Sequence, residues 1–457
     1  MSLQPSETEQ VESLLTDWLR RHSIPGASIT IFDSDSEQYA NGVGVRNLET
    51  TKPATPDTLY AMGSVTKPIT ALAVFQLVEN GELSLSDAVN DYVEHFSNVS
   101  GPAITVGELL SHTSGMPTTG PDRALINQAT KGVPAGVATE EDRVRYLEQA
   151  SEYRVSDEER FFYNNTGYNV LGRVIEEVAG RSFSTYVDEE IFRPLNMERA
   201  TFNEDTFSDA DEKALGYQIT ESGATPAPLP FEELLIPSTG LIASTRDIAR
   251  FMQEMIRGGG DVFEGTTPEL VDQMQAEQAI KQTFLDGTKR RYGHGWMRQS
   301  LGGDEVVGHG GGISGSTAFA GYLTEAEVGL AIACNASPET HPTDIGLAIL
   351  ALLSGYSRTK VPIFALREKC QAVTGRYESF QNRFTTIVDL ADGGISLHTP
   401  EQSKEEGIRA FPHHLDPGEH SFYTVTNDGS KRDIEFDLDS DPANMYFRRG
   451  RLKRVVR

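Results

Sequence analysis

Three short stretches carry residue types and spacings that can do chemistry. Ser64-Val65-Thr66-Lys67 sets a hydroxyl three residues before an amine, just ahead of an apolar run from Ile69 to Val78. Tyr163-Asn164-Asn165 sets a phenol two residues before an amide. His309-Gly310-Gly311-Gly312 follows a strand-like run and lets something approach its backbone N–H groups closely. A serine hydroxyl is a poor nucleophile at neutral pH and needs a neighbouring base. Pro68 has no N–H to return to the carbonyl of Ser64, so the first turn should be loosened or 3₁₀-like, which turns Lys67 toward Ser64.

Each stretch also has a plain alternative. Ser64 reads as a helix cap beside a surface lysine, Tyr163 as a core aromatic, Asn165 as a cap, and the glycines as a turn. About one chance Ser-x-x-Lys is expected in a chain of this composition. A second copy, Ser357-Arg358-Thr359-Lys360, runs into Val361-Pro362 and reads as that chance match.

The elements that must position these residues are legible in outline. Val11, Leu14, Leu15, Trp18 and Leu19 recur at helical spacing in a first amphipathic helix, and a β-hairpin follows around Ser34-Asp35-Ser36. The run from Ile69 is apolar nearly all round and stops at Asn80-Gly81, as expected of a helix in the middle of a domain. Helices ending at Gly180 and beginning at Ser244-Thr245 precede short glycine-split strands between Gly295 and Ser337, which fits an α+β domain with an antiparallel sheet. From about residue 370 strand pairs turn at Asp392-Gly393-Gly394 and Asn427-Asp428-Gly429, which predicts a small all-β barrel or sandwich. The expected division is a catalytic domain over 1–357, a linker over 358–369 and a β domain over 370–457.

A net charge of −27 repels phosphate backbones and anionic lipid, so neither a nucleic acid nor a membrane is an expected partner. Cys334 and Cys370 are too few for a disulfide framework or a zinc site, and no metal or cofactor is expected. The first residues lack a signal-peptide pattern and no apolar run approaches 18 residues, which points to the cytoplasm. The basic tail RRGRLKRVVR reads either as a solvated hairpin face or as a surface that docks on an acidic neighbour.

In this order and spacing the three motifs resemble the serine β-lactamase and penicillin-binding-protein superfamily, and most closely its class C β-lactamase-related group, which includes esterases and D-aminopeptidases. The phrases LLSHTSGMP, FRPLNMERATF, STGLIASTRDIARFM and YGHGWM share that resemblance, which covers residues 8 to 355. The β-rich tail resembles the lipocalin-like domain of some members. The resemblance implies an antiparallel sheet flanked by helices with an all-helical subdomain, followed by a small β-barrel through which the chain would form homo-oligomers. It implies Ser64 as nucleophile, with Lys67 either taking its proton or keeping Tyr163 partly ionised. Tyr163 would return the proton to the leaving group and later activate the deacylating water. Asn165 would hydrogen-bond the substrate's amide or the lysine, and with His309, Gly310 and Gly311 would bind a small or short-peptide substrate. The N–H groups of Ser64 and Gly312 would form the oxyanion hole. His112 matches the group as a loop-forming residue.

Where β-lactamases usually have Lys-Thr-Gly, this chain has His309-Gly310-Gly311, and a histidine is mostly neutral at pH 7. An esterase or a peptidase is therefore expected ahead of a β-lactamase or a penicillin-recognising protein with little turnover. An α/β-hydrolase using the His-Gly-Gly-Gly loop is excluded, because no Gly-x-Ser-x-Gly follows residue 312.

Overall fold

The computed structural model describes residues 3–94, 96, 102–116, 126–127, 154–155, 160–260, 262–263, 266–379, 381, 383–416, 418–448 and 450–455. These form two compact units, one of Met1–Gln282 with Lys289–Ser354 and one of Thr283–Thr288 with Gly355–Arg457.

In the first unit α1 (Pro5–Arg21) buries Val11, Leu15, Trp18 and Leu19, the expected stripe less Leu14. Eight strands make one sheet: β1 (Gly26–Asp33), β2 (Glu37–Gly44), β3 (Ala279–Thr283), β4 (Lys289–Tyr292), β5 (Met297–Leu301), β6 (Asp304–Ile313), β7 (Ser316–Leu323) and β8 (Val328–Cys334). Their order is β2-β1-β8-β7-β6-β5-β4-β3. The N-terminal hairpin thus enters beside the last strand, with Ile29 opposite Ile332. β7 is buried at every residue because both faces of the sheet are covered. Ala318, Ala320 and Ala333 face the main core, whereas Phe319 and Leu330 pack against Gly346 of a later helix, Pro342–Leu353.

The main core is organised by α2 (Thr66–Glu79), which buries every residue from Thr66 to Phe75. It ends as its sequence predicts: Gly81 takes φ +72, and the amides of Gly81 and Glu82 return to the carbonyls of Val78 and Leu77. Around it lie α3 (Val106–Ser111), α4 (Asn165–Ala179) and α5 (Thr245–Ile256). Tyr168, Val170 and Leu171 of α4 and Ile248, Phe251 and Met252 of α5 share that core. The helix on the other face of the sheet, Pro342–Leu353, is α6.

The second unit begins differently from the expected linker. Residues Pro362–Ala372 form α7, with Pro362 in its first turn and Ala365, Lys369 and Cys370 buried. Strands β9 (Gly375–Glu378), β10 (Thr385–Ala391), β11 (Gly394–His398), β12 (Ile408–Pro412), β13 (Ser421–Val425), β14 (Lys431–Asp437), β15 (Asn444–Phe447) and β16 (Gly450–Val455) then close into a barrel. Closure is made by the first and last strands, with Arg376 opposite Val455. The interior is filled by Tyr377, Val388, Ile395, Leu397, Phe422, Ile434 and Met445. The basic tail is therefore the closing hairpin of the barrel, and Arg454 donates to the carbonyl of Ala372 at 3.1 Å. No described helix is long and apolar enough to cross a membrane.

Candidate active site

Gly63 opens the site. Its φ of +54 turns the chain out of a short strand and into a 3₁₀ turn, Gly63–Val65, from which α2 departs. The Thr66 hydroxyl donates to the Gly63 carbonyl at 2.6 Å and holds that turn closed. Tight winding brings Lys67 Nζ within 3.1 Å of Ser64 Oγ. Lys67 is fully buried, and its amine also reaches Asn165 Oδ1 at 2.7 Å and the Ser238 carbonyl at 3.0 Å. The capping function read as an alternative for Asn165 falls instead to its neighbour: Asn164 accepts from the Gly167 amide at 3.1 Å. Asn165, the first residue of α4, turns its amide oxygen to Lys67 instead.

Tyr163 comes next to the same point. Its hydroxyl hydrogen-bonds with Ser64, and Lys67 Nζ lies 4.9 Å from the centre of its ring. Burial pushes the phenol well above its ordinary value of about 10, and the bond from Ser64 only partly offsets this. Tyr163 is therefore a neutral phenol in the resting site. His112, expected as a loop former, ends α3 in the left-handed region and lies 4.4 Å from the Tyr163 ring. Its Nδ1 accepts from the Asn164 amide at 3.1 Å, which steadies the segment carrying both Tyr163 and Asn165.

The third motif reaches the site by its backbone rather than its imidazole. His309 is 1% exposed; its Nδ1 donates to the Gly310 carbonyl at 2.6 Å and its Nε2 accepts from the Tyr292 hydroxyl at 3.0 Å. Burial and the charges of Lys281 and Lys67 hold it well below the ordinary histidine value, so it is neutral. As a substrate contact His309 is thus displaced by the strand that buries it; Gly310, Gly311 and Gly312 line the cavity instead. β6 meets the Ser64 turn so closely that a Cβ on Gly63 would stand 2.5 Å from the Gly312 nitrogen. One on Gly311 would be 2.9 Å from the nitrogens of both Ser64 and Val65. What the glycines admit is the Ser64 turn itself.

Ser64 opens into a cavity of about 280 Å³ shared with Lys281, Arg290, Met297, Gly310 to Gly312, His341, Thr343 and Asp344. A larger cavity of about 690 Å³, bordered by Phe202, Phe231 and Ile242, is not lined by Ser64, so the smaller one is the candidate site. Six of these neighbours, Lys281, Arg290, Met297, His341, Thr343 and Asp344, were not singled out from sequence. His341 Nδ1 accepts from the Thr343 amide at 3.1 Å, so its Nε2 donates to the Gly311 carbonyl at 3.1 Å and pins the glycine strand. Burial drops that imidazole to about 4. Lys281 of β3 lies 5.0 Å over the Tyr163 ring, and burial together with the like charge of Arg290 lowers it to about 8. The only visible signal for Lys281 was its rarity as one of 11 lysines. Among the described residues no cluster of three or more His, Cys, Asp or Glu side chains is placed to hold a metal ion.

The fold places the chain in the superfamily of β-lactamase-like and penicillin-binding-protein-like serine hydrolases. The Beta-lactamase family model matches residues 9–353, and the chain belongs to that family. Residues 357–453 match the Pab87 octamerisation domain. The octameric penicillin-binding protein homologue from Pyrococcus abyssi superimposes with a TM-score of 0.86 at 30% identity, over 97% of this chain and 99% of that one. EstCE1, a hydrolase with promiscuous acyltransferase activity, shares the fold at a TM-score of 0.63 and 21% identity, over 78% of this chain and 98% of that one. Protein flp of Staphylococcus aureus strain MW2 is 25% identical over 346 residues, 73% of this chain but 64% of that protein, so the chain spans less than two thirds of that relative's length. Penicillin-binding protein 4 of Amycolatopsis lactamdurans is 27% identical over 378 residues, 77% of this chain and 91% of that protein.

Proposed function

We propose that the protein is a serine hydrolase that forms an acyl-enzyme on Ser64 and acts on small amide or ester substrates, as a peptidase, an aminopeptidase or an esterase. The observation that carries this is the set of partners around Lys67 Nζ: Ser64 Oγ, Asn165 Oδ1 and the Ser238 carbonyl. Both of the latter are acceptors and take an N–H whether the amine is charged or neutral. The direction toward Ser64 is the one that changes with protonation. As an ammonium Lys67 donates to Oγ; as an amine it offers Oγ–H a lone pair. Of the two roles that the resemblance allowed Lys67, this favours direct proton acceptance, since Tyr163 is held neutral.

The phenol of Tyr163, already bonded to Ser64, then serves as the proton donor to the leaving group and, once ionised, as the base for the deacylating water. The amides of Ser64 and Gly312 are the proposed oxyanion donors. His309, bonded to the Tyr292 hydroxyl, has a structural part in this reading, and a direct substrate contact is left to Gly310 and Gly311.

Intact-mass measurement after exposure to a fluorophosphonate tests the reading. One adduct on the wild-type chain, mapping to Ser64 and lost in Ser64→Ala, is the expected result; labelling that survives Ser64→Ala refutes the nucleophile. p-Nitrophenyl esters against D-aminoacyl anilides then rank esterase against peptidase. A penicillin adduct that persists for hours without turnover would favour a penicillin-recognising protein instead.

The C-terminal unit is proposed to join copies of the chain. Its match to an octamerisation domain supports this, as does the octameric state of the Pyrococcus abyssi homologue. Phe384, Phe411 and Val425 expose 71%, 40% and 60% of their surface on the barrel, apolar area that a partner copy would cover. Native mass should fall from a multiple of 50.1 kDa to a single chain on truncation after Ser354. A full-length monomer would exclude the assembly.

A further inference from the structure

Another cavity, of about 230 Å³, lies between two elements that also hold Lys67. Its walls are α4, the short helix Phe183–Val187 and the segment 233–237. α4 supplies Asn165 to Lys67, and the segment runs on into Ser238, whose carbonyl is another acceptor of that amine. The two walls meet at Gly172, where a Cβ would stand 2.2 Å from Pro237 Cγ.

Asn169, one turn after Asn165 on the same helix, lines this cavity and is 1% exposed. Neither its Oδ1 nor its Nδ2 meets a hydrogen-bond partner among the described residues. Asparagine is a poor helix-interior residue, and a buried amide with both ends unpaired is costly. The nearby charges do not relieve it. Arg173 donates to Glu176 at 2.5 Å, and Glu176 also accepts from the Phe183 amide at 3.0 Å. Phe183, Leu234 and Pro237 make the rest of the wall apolar. An amide is matched by a group that offers an acceptor and a donor side by side, as a primary carboxamide does and a carboxylate does not. A carboxylate would also face Glu176 and Glu233. The volume is below that of sites for drug-sized ligands, so the ligand is small.

We propose that this cavity binds a small primary carboxamide with an apolar body, and that the bound molecule is an effector of Ser64. Its amide pairs with Asn169 while its body rests on Phe183, Leu234 and Pro237. Bracing α4 against the segment before Ser238 steadies two acceptors of Lys67 at once. The effector role rests on the serine-hydrolase reading, in which Lys67 activates Ser64; the binding itself does not.

Benzamide and benzoate are matched probes for calorimetry on the full chain. Benzamide should bind saturably and benzoate at least about tenfold more weakly, the worth of the mismatched hydrogen bonds. Asn169→Leu keeps the branching of the side chain and suits a helix better. It should unfold at or above the wild-type midpoint and weaken benzamide about ten- to hundredfold, the range for two hydrogen bonds. Ser184→Phe, on a half-buried part of the wall, should block the cavity as a second variant. No benzamide binding, equal binding of benzoate, or full affinity in Asn169→Leu overturns the site. Loss in Ser184→Phe alone overturns it too, because Ser184 also borders the larger cavity. Saturating benzamide should speed fluorophosphonate labelling of Ser64 about fivefold, the low end of coupling between sites, in the wild type and not in Asn169→Leu. An unchanged rate overturns the effector role alone. A wild-type chain that forms no adduct refutes the serine-hydrolase reading, and calorimetry still decides the site.

Discussion

Lys67→Met slows fluorophosphonate labelling of Ser64 by about 10²- to 10⁴-fold, the usual worth of a positioned general base. The reagent reacts with the hydroxyl directly, so its rate reports activation of Ser64 without the complication of substrate binding. Methionine matches the length and apolar stem of lysine in a site with no exposure. The substitution also removes the hydrogen bonds from Lys67 to Asn165 Oδ1 and the Ser238 carbonyl, at a cost of about 0.5–1.5 kcal/mol for each bond lost. Thermal unfolding of the variant measures that cost separately from the rate. Lys67→Arg completes the comparison: it restores a cation but cannot give up its proton at any working pH. Recovery of labelling in the arginine variant would mean that charge suffices and that Lys67 is not the base.

Gly311→Ala is expected to cost both stability and rate, whereas Gly312→Ala is mild. A Cβ on Gly311 would be driven into the Met62 carbonyl and crowd the amides of Ser64 and Val65, all of them backbone atoms with no rotamer to yield. The strand and the Ser64 turn must therefore separate. Overpacking of this kind costs about 1–3 kcal/mol, and a displacement near 1 Å at a reacting group costs about 10²-fold in rate. On Gly312 the first obstacle is a methyl group, Thr317 Cγ2, at 3.2 Å. Steady-state kcat/KM with p-nitrophenyl acetate and the unfolding midpoint of each variant check the contrast. Equal losses at the two positions would show that the glycines serve flexibility in general rather than this one approach.

How much of this was legible follows from the distance over which each contact acts. The 3₁₀ turn could be anticipated from Pro68 because the relevant hydrogen bond spans four residues. The family resemblance carried by the three motifs was what brought Ser64, Lys67, Tyr163 and Asn165 together as an expectation. Local reading was less apt for Asn165, where a cap was one alternative and the adjacent Asn164 takes that place. Lys281 was invisible because its place, over the Tyr163 ring and in the cavity of Ser64, is made with residues far from it in the chain. His309 illustrates the converse. Its residue type suggested a side chain aimed at substrate, but burial beneath Tyr292 is a property of the assembled sheet. The C-terminal strands were readable as hairpins, while the choice between barrel and sandwich rested on pairing between β9 and β16, over seventy residues apart.

The packed bore of that barrel has a consequence for how the second unit can contribute. Tyr377, Phe422, Ile434 and Met445 occupy the volume in which a hollow barrel would carry a small molecule. The unit is a bracket rather than a vessel. Whatever it adds to the chain must be added from its outer wall, and a search for its ligand inside would be looking at solid hydrocarbon.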